Sequence, residues 1–163
     1  MKPKPQRPPA RSMLKEYSKS VGALILNEKQ QILIVFQADN RYWEFPKGKV
    51  EEGENELATL KREVREETGI TKFTIWPNWR QVVHYRFYPE RHIMVSKAVV
   101  YYLLLTEQPV KISDEHLYYK WVSLRAAKKF LRHKNQHALI DKAKFALYAK
   151  RPTPPVERPS ASQ

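Results

Sequence analysis

The chain contains no cysteine, which excludes a disulfide framework and a thiolate zinc site. It contains no apolar run near the eighteen or so residues that a membrane helix needs. The opening segment MKPKPQRPPARS is basic but has no apolar stretch of the kind a secretory signal carries, and its prolines argue against an amphipathic targeting helix. These absences lead to the expectation of a cytoplasmic protein that stays off membranes. Glycine is also scarce. There are four, and three of them (Gly48, Gly53 and Gly69) fall in one short stretch, so backbone demands are concentrated there.

What is present is positive charge, unevenly spread. The net charge is +13 over 163 residues. Residues 1–20 carry six Lys/Arg and one Glu, residues 21–119 carry thirteen against fourteen Asp/Glu, and residues 120–163 carry eleven against two. The basic excess therefore belongs to the ends and not to the body. Two Pro-rich basic tails, 1–14 and 151–163, have little to bury and are expected to be disordered. One domain over 15–150 is long enough for a single core, with a monomer as the expected state. The basic C-terminal segment makes RNA a candidate partner through its phosphates.

Hydrophobic patterning supplies a coarse map. Val21–Leu26 and Ile32–Phe36 flank a short polar turn and read as a β-hairpin. Trp43–Pro46 is extended, since Pro46 disfavours helix at Phe45. Glu54–Thr68 reads as a helix stopped by Gly69. Phe73–Trp76, Gln81–Tyr88, Met94–Leu105 and Tyr118–Val122 read as strands. Ser123 caps a helix reaching Arg132, and a last helix covers Gln136–Ala149. The order implies an α+β fold, layered around a mixed sheet, with helices at the C-terminus.

The chemistry is concentrated in GKVEEGENELATLKREVREETGI, residues 48–70. At 100° per residue, Leu57, Leu60 and Val64 share one helix face, which predicts a core contact. Glu63, Glu66 and Glu67, spaced i, i+3, i+4, share a second face about a quarter-turn away. Three carboxylates on one patch repel, so the arrangement calls for cations. Mg²⁺, with Mn²⁺ as the alternative, suits oxygen ligands that also meet substrate phosphates. Gly48 and Gly53 flank a tight loop whose N–H groups can face phosphate near the helix start.

With Gly48, Glu54, Arg62, Glu63, Glu66, Glu67 and Gly69 in place, and aliphatic Val64 and Ile70 between and after them, the stretch resembles the Nudix box at every fixed position. Seven fixed residues would coincide by chance roughly once in 10⁸, so the match is not accidental. The resemblance implies an α/β/α sandwich with the box as loop–helix–loop, and hydrolysis of a phosphoanhydride bond in a nucleotide. It implies Glu63 and Glu67 as the main metal ligands, Glu66 as a third, and Arg62 orienting a box glutamate through charge-assisted hydrogen bonds.

A second resemblance narrows the substrate. Ser113-Asp114-Glu115-His116 followed by Leu117-Tyr118-Tyr119-Lys120-Trp121 is similar to the S-x-E-H-x-x-Y-x-W signature of asymmetric diadenosine tetraphosphate hydrolases. Trp43-Glu44-Phe45-Pro46-Lys47-Gly48 is similar to their W-x-x-P-K-G approach to the box, and Lys97–Tyr102 to a lysine-led strand. Tyr42 departs from the pattern, which places histidine before the tryptophan. By this resemblance Glu115 is a further metal ligand or base. Lys47, Gly48, Lys97 and His116 would meet the polyphosphate, and Tyr85 would stack on an adenine. Phe145 is a second aromatic candidate, whereas Trp43 and Trp121 are expected in the core. The catalytic set is thus Glu63, Glu67, Arg62 and Glu115. Two alternatives stay open: a pyrophosphohydrolase acting on RNA 5′ ends or another nucleoside diphosphate-linked compound, and a non-enzymatic nucleotide- or RNA-binding module of the same fold.

Overall fold

The computed structural model describes residues 14–90 and 92–149. The expected tails lie outside this range, except that Leu14 opens the first strand. The elements in order are β1 (Leu14–Leu26), β2 (Gln31–Gln37), β3 (Trp43–Glu44), β4 (Lys47–Lys49), α1 (Glu56–Thr68), β5 (Thr74–Glu90), β6 (Ile93–Leu105), β7 (His116–Ser123), α2 (Leu124–Phe130) and α3 (Lys134–Ala149). The strands form one mixed sheet in the order β3-β2-β1-β6-β5, with β4 also on β1 and β7 also on β2. β1 runs parallel to β6 along its whole length, from Leu14 opposite Ile93 to Leu26 opposite Leu105. The other pairings are antiparallel. Among the described residues no helix is long and apolar enough to cross a membrane.

Alternation along the central strand builds two cores. Val21, Ala23 and Ile25 of β1 point to α1 and pack with Leu33, Leu60, Val64 and Ile70. Leu24 and Leu26 point the other way and pack with Ile34, Phe45, Tyr101, Leu139 and Ala143 beneath α2 and α3. Because both faces are covered, β1 reads as a continuous apolar run and not as an alternating one. The result is the α/β/α sandwich expected from the sequence. Truncating a fully buried side chain such as Leu33 to alanine would cost about 2–5 kcal/mol.

Several boundaries differ from expectation for local reasons. α1 begins at Glu56 because the Asn55 side chain caps it, accepting from the Ala58 N–H at 2.8 Å. Glu54 is left outside the helix. Gly69, at φ 71°, closes α1 with its N–H on the Arg65 carbonyl. The two strands expected over 73–88 are one strand, β5, with a register irregularity between Ile75 and Arg80, where Asn78 has φ 58°. α2 stops at Phe130 because Leu131 turns into a bridge with Trp43. β1 starts seven residues before the apolar run at Val21, its polar Leu14–Ser20 half ordered by parallel pairing with β6.

Candidate active site

The loop between β4 and α1 is organised by Arg62. Its Nε donates to Glu54 Oε1 at 2.5 Å and its Nη2 to Glu54 Oε2 at 3.0 Å, a two-pronged pair. Nη2 also donates to the Lys49 carbonyl at 2.9 Å, which fastens the loop to β4. Nη1 donates to Glu63 Oε1 at 2.6 Å and to Glu66 Oε2 at 3.1 Å. One guanidinium therefore orients three box glutamates, as the sequence implied for one. The Arg62 hydrogen bonds hold the Glu54 carboxyl down at about 2. Gly48 has a steric duty as well. A Cβ there would lie 1.9 Å from Glu63 Cδ, so only glycine lets that carboxylate fold against β4.

Glu67 occupies a different environment. It is only 6 % exposed, and its Oε2 accepts the Lys47 backbone N–H at 3.0 Å. Burial, then the charges of Glu63 and Glu44, push its carboxyl up to about 8. Burial also pushes Glu63 up, against the pull of Arg62, with Glu66 and Glu115 adding to the rise. This corrects one expectation about the helix faces. Leu57 is 44 % exposed and lies at the edge of the buried helix face that Leu60, Val64 and Glu67 define. Glu67 takes a place on the core face instead. It follows Leu60 by one heptad, and seven residues bring a helix back to within about 20°.

The donor chemistry fits a hard divalent cation. Glu63 and Glu67 are oxygen donors whose shared negative charge is only partly met by the chain's own cations. Among the described residues no three acidic or histidine side chains form a closed coordination cage. Mg²⁺ needs none, since it takes one or two carboxylates and completes its shell with water and substrate phosphate. Glu66 is half-exposed at the cluster's outer side. Glu115 is exposed, in a turn that Ser113 fastens to the end of α1 by donating its N–H to the Glu67 carbonyl at 3.2 Å.

Beside the glutamates lies a cavity of about 240 Å³, lined among others by Tyr42, Glu44, Lys47, Tyr85, Lys97 and His133. Three residues singled out from the sequence, Lys47, Tyr85 and Lys97, thus share one wall system, and Lys47 links it to Glu67 through its backbone. Burial, followed by the charge of Lys47, lowers the Lys97 pKa, so Lys97 is the cavity cation that an anion would relieve, Lys47 being paired with Glu44. A larger surface cavity of about 790 Å³, between Asn27, Thr71 and Gln108, contains none of the candidate residues. Phe145 is 74 % exposed and lies outside the 240 Å³ cavity. Trp43 and Trp121 are half-buried against the two cores, as expected.

His116 is buried, with Nδ1 3.3 Å from Ser113 Oγ and Nε2 4.0 Å from Glu44 Oε1. It faces Glu44 and not the cavity opening. Glu44 itself was not foreseen. It is 3 % exposed and pairs with the Lys47 ammonium. Burial raises its pKa, but His116 and Lys47 outweigh burial and lower it on balance. The available signal was an acid inside the otherwise apolar Trp43–Phe45 segment, three residues before a lysine. His133 and Gln136, which also line the cavity, carried no such signal.

A sandwich that holds a glutamate-rich loop–helix–loop beside a cationic, tyrosine-lined cavity has the architecture of a pyrophosphohydrolase. The sequence pattern of the NUDIX domain matches residues 16–143, and the chain belongs to the Nudix family, whose hydrolases generally use divalent metal ions. It is similar to the asymmetrical bis(5′-nucleosyl)-tetraphosphatase of Mus musculus, 32 % identical over 120 residues, 70 % of this chain and 78 % of that protein. It is also similar to an 8-oxo-dGTP diphosphatase of Buchnera aphidicola, 31 % identical over 139 residues, 82 % of this chain and 98 % of that protein. A C. elegans Ap4A hydrolase, solved as a binary complex, superposes with a TM-score of 0.72 at 27 % identity, over 81 % of this chain and 98 % of that one.

Proposed function

We propose that this Nudix hydrolase cleaves a dinucleoside polyphosphate asymmetrically, with diadenosine tetraphosphate giving ATP and AMP. The carrying observation is the convergence of Lys47, Lys97 and Tyr85 on one cavity joined to Glu67 by the Lys47 N–H. The cavity is too small for a whole dinucleotide and suits one nucleoside end, with Tyr85 as the stacking ring. The Lys47 and Lys97 ammoniums meet the polyphosphate as point charges. Glu63, Glu66, Glu67 and Glu115 would hold Mg²⁺, or Mn²⁺ as the alternative. When bound, the cation would neutralise phosphate charge and lower the pKa of water at the site. Arg62 fixes the Glu63 and Glu66 carboxylates, and Gly48 leaves Glu63 the room to turn inward. Glu63, Glu67 or Glu115 takes the proton from water. His116 and Glu44 keep Lys47 in place from behind.

The test is a comparison of kcat/KM with Mg²⁺ for diadenosine tetraphosphate, 5′-triphosphate RNA, 8-oxo-dGTP, ADP-ribose and NADH. The dinucleoside tetraphosphate is expected to lead. Triphosphate RNA ahead by an order of magnitude would replace this reading with the RNA 5′-end one.

A further inference from the structure

A row of aromatic rings crosses the sheet next to the cavity and is not used by the site described above. Phe130 meets Trp43 at 5.7 Å between centroids, Trp43 meets Phe36 at 5.2 Å, and Phe36 meets Tyr118 at 6.0 Å. Two cations lie on the row. Lys120 Nζ stands 5.8 Å from the Trp43 centroid and 5.7 Å from that of Phe130, and Arg41 Cζ stands 5.9 Å above Phe36. Register explains the alignment: Tyr118 pairs with Phe36 and Lys120 with Ile34, so both project to the α2 side of the sheet. Tyr118 is 61 % exposed, and Arg41 and Lys120 are exposed. Arg41 holds its place with φ 53°, a strained value for a side chain of its size.

The segment that runs from β7 into α3 is basic, although Asp39 and Glu115 are exposed at the Arg41 end of the row. Residues 116–140 contain six Lys/Arg and no Asp or Glu. Of the six, Arg125, Lys129, Arg132 and Lys134 are exposed like Lys120. The row also begins at the cavity. His133 lines the cavity and packs edge-on against Tyr42 at 6.5 Å, and Phe130 lies three residues before it.

We propose that this face binds single-stranded nucleic acid. Rings alternating with cations suit a strand whose phosphates meet Lys120 and the α2 cations while its bases stack on Tyr118 and on the outer plane of the Arg41 guanidinium. A duplex hides its base faces and would leave those platforms unused. An acidic protein would use the cations but not the rings. A membrane would need an apolar patch, whereas Trp43 and Phe36 are packed edge-on into the sheet.

The test is fluorescence anisotropy with the full chain and a 3′-labelled decauridylate bearing a 5′-hydroxyl, which offers no phosphoanhydride. Its outcome is therefore separate from that of the substrate comparison. Affinity is expected to fall as salt rises. Tyr118→Ala should weaken binding about tenfold, whereas Tyr118→Phe, which keeps the ring, should not. Lys120→Gln should weaken binding and reduce the slope of log affinity on log salt by about 0.7, one phosphate contact on a single strand. Lys29→Gln, on the far β1–β2 turn, should change nothing. Diadenosine tetraphosphate turnover should be unchanged in all four variants. Decathymidylate should bind within a few-fold of decauridylate, because rings and cations read bases and phosphates and not the sugar. Wild-type affinity in Tyr118→Ala would overturn the proposal, since the basic chain ends would then account for binding. A ten-base-pair duplex binding as tightly would overturn it too, as would a strict requirement for one sugar. So would stronger binding of phosphatidylserine vesicles that is lost in the same variants.

Discussion

Glu56 and Glu67 sit eleven residues apart on the same helix, and the fold treats them in opposite ways. Glu56 accepts from Arg80 Nε at 2.9 Å and Nη2 at 2.6 Å, from Lys19 Nζ at 2.7 Å and from the Tyr102 hydroxyl at 2.6 Å. The Arg80 hydrogen bonds above all hold its carboxyl well below the usual carboxylate range. Glu67 is more deeply buried, accepts a backbone N–H, and faces Glu63 and Glu44, so its carboxyl rises to about 8. The first carboxylate is balanced by cations of the chain itself, drawn from β1 and β5, and so serves the fold. The second has no such set of cations, and near neutral pH it keeps its proton unless a cation from outside the chain displaces it. A difference of this kind makes Glu67, and not Glu56, the candidate functional acid where residue type does not distinguish them.

The sharpest way to break the comparison is to neutralise each carboxylate. Glu67→Gln and Glu63→Gln are expected to lower kcat a hundredfold or more, with the thermal midpoint of Glu67→Gln unchanged or raised, because burial already keeps the Glu67 carboxyl protonated near neutral pH in the metal-free enzyme and the amide replaces it without losing an ion pair. Activity and melting measured on the same preparations check this. Near-wild-type turnover in both variants would remove them from the catalytic set.

A smaller effect tests whether position matters apart from charge. Gly48→Ala keeps every carboxylate but places a methyl group within 1.9 Å of Glu63 Cδ, so Glu63 must swing away. Turnover is expected to fall about ten- to a hundredfold, with a stability loss of about 1–3 kcal/mol from overpacking. Kinetics against Mg²⁺ concentration are expected to show a higher half-saturating Mg²⁺ concentration for Gly48→Ala than for wild type. Unchanged kinetics would mean that Glu63 does not act from the position it holds against β4.

Much of this contrast was legible before the fold was known, and the reason is that helices translate spacing into geometry. Glu63, Glu66 and Glu67 could be related to one another because the intervening helical residues fix their angles, Gly48 and Arg62 were tied to them by resemblance to the Nudix box, and the mixed sheet with flanking helices followed from the order of apolar runs. What could not be read depends on elements far apart in the chain. The Glu44–Lys47–His116 cluster needs β7 to pair with β2, which brings His116 to Glu44, and the partners of Glu56 come from β1, β5 and β6, whose order in the sheet no local pattern announces. Leu57 was assigned to the core because a helical wheel gives direction but not how wide a sector of the helix the sheet covers. Glu67 could have been placed correctly, since its heptad relation to Leu60 is a local fact.

The smallest expected effect belongs to the structural acid. Glu56→Gln removes a carboxylate that ties α1 to three strands but touches no part of the cavity, so turnover should stay near wild type. Arg80 and Lys19 are each about half exposed, so solvent screens them and the loss of stability at neutral pH should be about 1 kcal/mol. Its pH dependence has a definite sign. The folded pKa of Glu56 lies below its ordinary value of 4.5, so the folded state binds the proton less readily than the unfolded chain. Its stabilisation is then complete above about 4.5 and lost as pH falls toward the depressed value. Denaturant midpoints for wild type and Glu56→Gln should differ by a constant amount from neutrality down to about pH 5 and converge below it. A gap that stayed constant into strong acid would show that Glu56 acts through packing and not through its charge, and the contrast with Glu67 would then rest on Glu67 alone.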